Sequence, residues 1–155
     1  MTAVDPASPA GVVTRHPYQY VVLRCVPRVE REEFVNVGVV VFCHATDHLV
    51  VAWHLDEHRL SALAPGLELG QVRAALDFVD AVCAADPRAG AVAGEPVSRR
   101  FGFLKAPRST VLQPGPVHGG LSERPDGEAR RLLARLVLPD APRAQTGTSS
   151  TAPTA

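Results

Sequence analysis

Lysine is almost missing from this chain: of sixteen basic residues, only Lys105 is not arginine. Aromatic residues are scarce at 5% of 155 positions, and sixteen acidic residues cancel the basic ones. A chain with no net charge projects no long-range field, and one with few rings offers few stacking platforms. Both facts speak against nucleic acid as a partner. Cysteine is limited to Cys25, Cys43 and Cys83, odd in number, widely spaced and flanked by apolar residues. That pattern excludes a disulfide framework and a CxxC metal knuckle, and fits reduced thiols in a cytoplasm. No charged-then-apolar leader opens the chain, and no apolar run reaches membrane-spanning length. The expectation is a cytoplasmic protein with no membrane contact, no cofactor and no metal.

The ends contrast with the middle. Residues 1–16 are small and proline-interrupted, and residues 140–155 lack any large apolar side chain, so neither offsets the entropy of ordering. They read as a flexible N-terminal tail and a disordered C-terminal tail around a single domain over 17–139, long enough for one core.

Within that domain, YQYVVLRCV (18–26), FVNVGVVVFC (34–43) and HLVVAWH (48–54) are rich in β-branched and aromatic residues. Their connections are too short for a helical crossover, which predicts an antiparallel meander. Leu69, Val72, Leu76, Val79 and Cys83 recur at spacings of three and four, the stripe of an amphipathic helix. FGFLKAPRSTVLQ (101–113) reads as one or two short strands broken by Pro107, and PGPVHGG (114–120) as a loop. A last helix is expected over 127–138, capped by Asp126, with Ala129, Leu132, Leu133, Leu136 and Val137 inward. The fold class is therefore α+β: an antiparallel meander of three consecutive strands plus one or two later short ones, with helices packed on one face.

Side chains two apart on a strand share a face. Strict alternation groups Val21, Leu23 and Cys25 with Val35, Val37, Val39, Val41 and Cys43 on an apolar face. Tyr20, Val22, Arg24 and Val26 then share the other with Phe34, Asn36, Gly38, Val40 and Phe42. A symmetric seven-residue loop sets Arg24 directly opposite Asn36. Five guanidinium donors beside an amide, with Gly38 leaving a dent or marking a bulge, make a floor able to hold a phosphate or carboxylate.

Other polar clusters compete for a role. Arg28, Glu30, Arg31, Glu32 and Glu33 form a charged run that reads first as a solvated turn. Glu30 and Glu33 would need a third ligand to hold Mg2+. HLDEH, His54 to His58, matches an inverted zinc-protease pattern with Glu128 as third ligand, but His54 ends a strand and the helix after it cannot exceed EHRLSAL before Pro65. Arg108, Ser109, Thr110, Gln113 and His118 collect in a Gly/Pro-rich stretch whose amides suit an anion. Ser109 and His118 are a conceivable nucleophile and base with no third residue to orient them.

YQYVVLRCVPRVEREEFVNVGVVVFC and APRSTVLQPGPVHGGL resemble the two most recognisable blocks of a bacterial family, domain of unknown function 3037, and the resemblance spans about Pro17 to Leu138. Arg28, Glu33, Asn36, Gly38, Arg108, Ser109, Thr110, Gln113 and His118 match as landmarks, without assigned roles. Genes of that family often lie beside those of kinase-like proteins similar to persistence-toxin serine/threonine kinases. The resemblance thus implies an accessory or regulatory module with such a kinase as partner, and the residues imply binding of a phosphate-bearing ligand through Arg24, Arg28, Asn36, Arg108, Ser109, Thr110, Gln113 and His118. The alternative is a small hydrolase or nuclease-like enzyme acting on a phosphate-containing substrate from the same region.

Overall fold

The computed structural model describes residues 11–140, so the expected tails lie largely outside the described residues. Three strands, β1 (His16–Cys25), β2 (Val35–Cys43) and β3 (His48–Trp53), form the expected antiparallel meander. Helices α1 (Glu57–Leu63), α2 (Leu69–Cys83) and α3 (Val97–Lys105) follow, then short strands β4 (Leu112–Pro114) and β5 (His118–Ser122) and helix α4 (Pro125–Leu136). The sheet order is β3-β2-β1-β4, with β5 also on β1. The α+β class is the one read from the sequence.

β4 and β5 lie along the same edge of β1. The register runs Leu23↔Pro114 in one and Tyr20↔His118 in the other, a shift of one residue taken up between them. His118, Gly119 and Gly120 therefore belong to a strand, where a loop was expected. Gly-Gly has low strand propensity, but here it makes room: a Cβ on Gly120 would lie 2.5 Å from the Tyr18 hydroxyl.

A second correction concerns the faces. β1 and β2 keep Arg24 opposite Asn36, but a bulge shifts the register at Leu23/Arg24 and Leu23 pairs with Gly38. The extra residue, Val37, reverses the facing of everything beyond it. Val40 and Phe42 thus join Val21, Leu23, Cys25, Val35 and Val37 in the larger core, while Val39, Val41 and Cys43 pack with Tyr18 in a smaller one. Gly38 does border a bulge, yet its Cβ position faces Leu23 and Trp53, not Arg24.

The larger core is closed by Leu60 of α1, by Val72, Leu76 and Val79 of α2, and by Phe101 and Leu104 of α3. Each fully buried side chain of this size contributes roughly 1.5–3 kcal/mol by leaving water. α2 forms where the stripe predicted. α3 replaces the strand expected over FGFLK: Val97, Arg100, Phe101 and Leu104 turn one side inward at helical spacing. Phe101 stacks on Phe42 at 4.9 Å, so tertiary packing outweighs the strand-like look of the apolar run.

The other face carries α4, whose Ala129 and Leu132, with Val137 just past its end, pack on Tyr18, Val39, Val41 and Cys43. The helices thus divide between both faces, α4 lying apart from the rest. Asp126 sits inside the first turn of α4, and Arg124 takes the cap position. Among the described residues no side chain caps the first turn; Ser122 instead fixes the approach to the helix, its Oγ accepting from the Arg124 amide (3.0 Å) and donating to Glu128 (2.9 Å).

Burial alone would raise the Glu128 pKa, but hydrogen bonds from Arg131, Ser122 and Tyr18 outweigh it and hold the carboxyl below the usual glutamate range. A lowered folded-state pKa stabilises the fold above the unfolded value of about 4.3 and loses that stabilisation as pH falls through the folded value. The stability gap between the native chain and Glu128→Gln should hold from about pH 7 to 5 and close below about pH 4. Thermal unfolding across that range measures it. A gap that persists unchanged to about pH 3 would contradict the linkage.

The thiols are placed as their apolar flanks suggest: Cys25 and Cys43 are buried and Cys83 half-buried, all free. Burial pushes the Cys25 thiol up to about 11, and burial with the neighbouring Asp80 pushes Cys83 to about 12. At neutral pH these two are thiols, and unreactive ones.

Candidate functional site

Three polar side chains stand in a row across three strands. Arg24 on β1 faces Asn36 on β2 and Gln113 on β4. They share the face covered by α4, but α4 ends over Asn36, whose Nδ2 donates to the Leu136 carbonyl (3.2 Å). Beyond that point the sheet is open. A cavity of about 360 Å³ lies there, lined by Arg24, Val26, Val29, Glu32, Phe34, Gln113 and Pro114.

Arg24 is held flat. Its guanidinium lies 4.2 Å from the centre of the Phe34 ring. On Gly115 a Cβ would come within 3.1–3.3 Å of the same guanidinium, so the missing side chain lets it lie against the backbone. Such a clamp fixes the planar group before any ligand arrives. Among the described residues no carboxylate pairs with Arg24. Its Nε and Asn36 Oδ1 are both shielded from solvent and have no hydrogen-bond partner among the described residues. Gln113 is braced through Nε2 to the Thr110 carbonyl (3.0 Å). Glu32, held at φ 55 in the turn before β2, puts one carboxylate at the rim.

The remaining candidates disperse. Arg28 and Arg31 pair with Glu30 and Glu33, each at 2.6 Å in exposed contacts. Those arginines hold both carboxyls below their usual range, Glu30 with help first from its own backbone amide. They border a separate trough of about 700 Å³ lined also by Leu63, Leu67, Glu68 and Val111. Arg28 and Arg31 are already paired with Glu30 and Glu33, so the trough offers an anion no guanidinium as free of carboxylates as Arg24. Arg108 turns back onto α3, 4.3 Å from the Phe103 ring and 2.7 Å from the Phe103 carbonyl. Thr110 Oγ1 donates to the Leu112 carbonyl (2.8 Å), and Ser109 is exposed.

His118 stacks on Tyr20 at 5.1 Å. Tyr20 lies five residues along β1 from Cys25, the partner of Leu112, which at about 3.3 Å per residue puts His118 roughly 16 Å from the Ser109 end of the sheet. The two are not a nucleophile and base. Of the zinc pattern, Glu57 pairs with Arg73 and Glu128 with Arg131, and among the described residues no three His, Cys, Asp or Glu converge to hold a metal.

Two members of the clamp, Phe34 and Gly115, were not singled out as ligand-site residues. Phe34 gave a signal, since an aromatic at a strand start with charged residues before it has little core to enter. Gly115, between Pro114 and Pro116, gave one only once its strand partner was known.

Residues 20–137 match the model of the protein family of unknown function DUF3037, and the chain belongs to that family. No curated protein and no solved structure matches it.

Proposed function

We propose that this DUF3037 protein is an accessory or regulatory binding module whose ligand carries a phosphate group seated on Arg24. The observation that carries the reading is a guanidinium clamped between Phe34 and Gly115, facing a cavity and paired with no carboxylate of the described residues. Arginine in that state presents a bidentate donor pair at little further entropic cost. Gln113 lies alongside to bind an adjoining ester or amide group, and Phe34, Val26 and Val29 give the ligand an apolar wall. Binding is favoured over hydrolysis because Ser109 and His118 stand apart and the cavity lining contains no histidine, cysteine or serine. The kinase-like partner implied by the family resemblance would supply such a phosphate as a phosphorylated segment.

The test is a thermal shift with inorganic phosphate, a nucleotide and a phosphorylated peptide. A ligand at one hundred times its dissociation constant stabilises the fold by about 2.7 kcal/mol. Arg24→Gln should abolish the shift for whichever compound gives one, and Arg130→Gln, on the exposed side of α4, should leave it intact. No shift with any of the three, or equal behaviour of both variants, would sink the site. Turnover of the nucleotide that disappears in His118→Ala would replace binding with hydrolysis.

A further inference from the structure

We propose that β5 is the contact through which two copies of this chain pair edge to edge, antiparallel and centred on Gly120. The sheet has two outer edges, β3 and the β4/β5 line, and they differ. The apolar side chains of β3 are already occupied: Leu49, Val51 and Trp53 pack into one core, Val50 and Ala52 into the other. On the opposite edge, Pro114 lies in β4 and Pro116 follows it, which guards that half against strand addition. β5 has no such guard. Its sequence HGGLS contains no lysine, proline or acidic residue, and Leu121 is 65% exposed.

Self-pairing fits this segment for a geometric reason. With Gly120 at the twofold axis, Gly119 of one copy lies opposite Leu121 of the other, and the reverse. Residues paired across antiparallel strands project to the same face, so each Leu121 meets the space above a Gly119. That space is empty: a Cβ on Gly119 would find only the Tyr18 carbonyl, at 3.7 Å. His118 then faces Ser122, and the 43%-exposed Val117 faces the stem of Glu123. No like charges are brought together. The result is an isologous contact that closes after two copies and extends one sheet through both.

Sedimentation equilibrium of the full chain, from roughly 5 to 500 µM, tests this over the range expected of a small interface. The native chain should pass from its 16.5 kDa monomer mass to twice that value. Leu121→Lys and Gly119→Val should both stay monomeric, the first by removing the knob and the second by filling the hole. Leu121→Met should still dimerise. Because Leu121 is exposed, Leu121→Lys should also keep the native melting temperature. A native chain that stays monomeric throughout, or a Leu121→Lys variant that dimerises as well as its parent, overturns the proposal. So does a monomer that captures other extended peptides but not itself. None of these outcomes depends on the Arg24 pocket.

Discussion

Replacing Arg100 with alanine should cost the fold about 3 kcal/mol, because a charged group at 8% exposure holds three main-chain carbonyls at once. Its Nη1 donates to the Val82 and Cys83 carbonyls at 2.8 and 2.7 Å, and its Nε to Glu95 at 3.1 Å. The first two acceptors end α2, where last-turn carbonyls lack the i+4 helical donor and the helix dipole favours a positive charge. Alanine leaves the Cys83 carbonyl unsatisfied and the Val82 carbonyl with only a long bond from the Ala85 amide (3.3 Å), and opens a void between α2 and α3. For a domain of this size the loss lowers the melting temperature by roughly 10–15 °C. Arg100→Lys, able to reach only one or two of the acceptors, should fall between. Thermal unfolding followed by circular dichroism measures both. A loss under about 1 kcal/mol for alanine would mean that water replaces the guanidinium, and that α2 is not anchored there.

Gly38→Val should cost about as much, by overpacking. At Gly38 a Cβ would sit 3.0 Å from Trp53 Cβ, 3.1 Å from the Ala52 carbonyl oxygen and 3.4 Å from Leu23 Cδ1. The second of these is backbone of β3 and cannot rotate away. Trp53 is tied as well, its indole N–H donating to Asp80 at 2.8 Å. Valine would therefore push β3 from β2 or break the Trp53–Asp80 bond, with a loss of roughly 3 kcal/mol, and alanine about half that. Trp53 is the sole tryptophan, so its fluorescence reports the displacement directly. Unchanged emission and a stability change within about 0.5 kcal/mol would show that the strands separate without cost.

The same glycine shows what the sequence carried and what it withheld. Arg24 opposite Asn36 was legible, since a symmetric connection of seven residues fixes the pairing whatever follows it. The faces beyond were not, because a bulge at Val37 depends on how β3 meets β2, as in the bond from His54 N to the Val37 carbonyl (2.8 Å). α2 was legible as an uninterrupted stripe. α3 was not: its stripe begins at Val97 inside a Pro/Gly-rich stretch, and FGFL alone looks like a strand. At the site, Arg24 and Gln113 were both marked as candidates, but their adjacency is a register fact spanning ninety residues. The hydroxyl and imidazole that suggested chemistry, Ser109 and His118, are separated by about half the length of β1.

The claim that Arg24 is a preorganised anion receptor is tested most directly on its own Nε–H. In a nitrogen-15-labelled sample that proton, shielded from solvent and without an acceptor among the described residues, should give a resolved arginine side-chain signal. Arg24→Lys identifies the signal by its loss. Titration with the phosphorylated peptide should shift it in a saturable way together with the Gln113 side-chain amide, while the Nε–H of Arg108, turned back on Phe103, stays in place. If the Arg24 and Gln113 signals remain still while the other arginines move together, phosphate is met only by diffuse surface charge and the pocket is not a receptor.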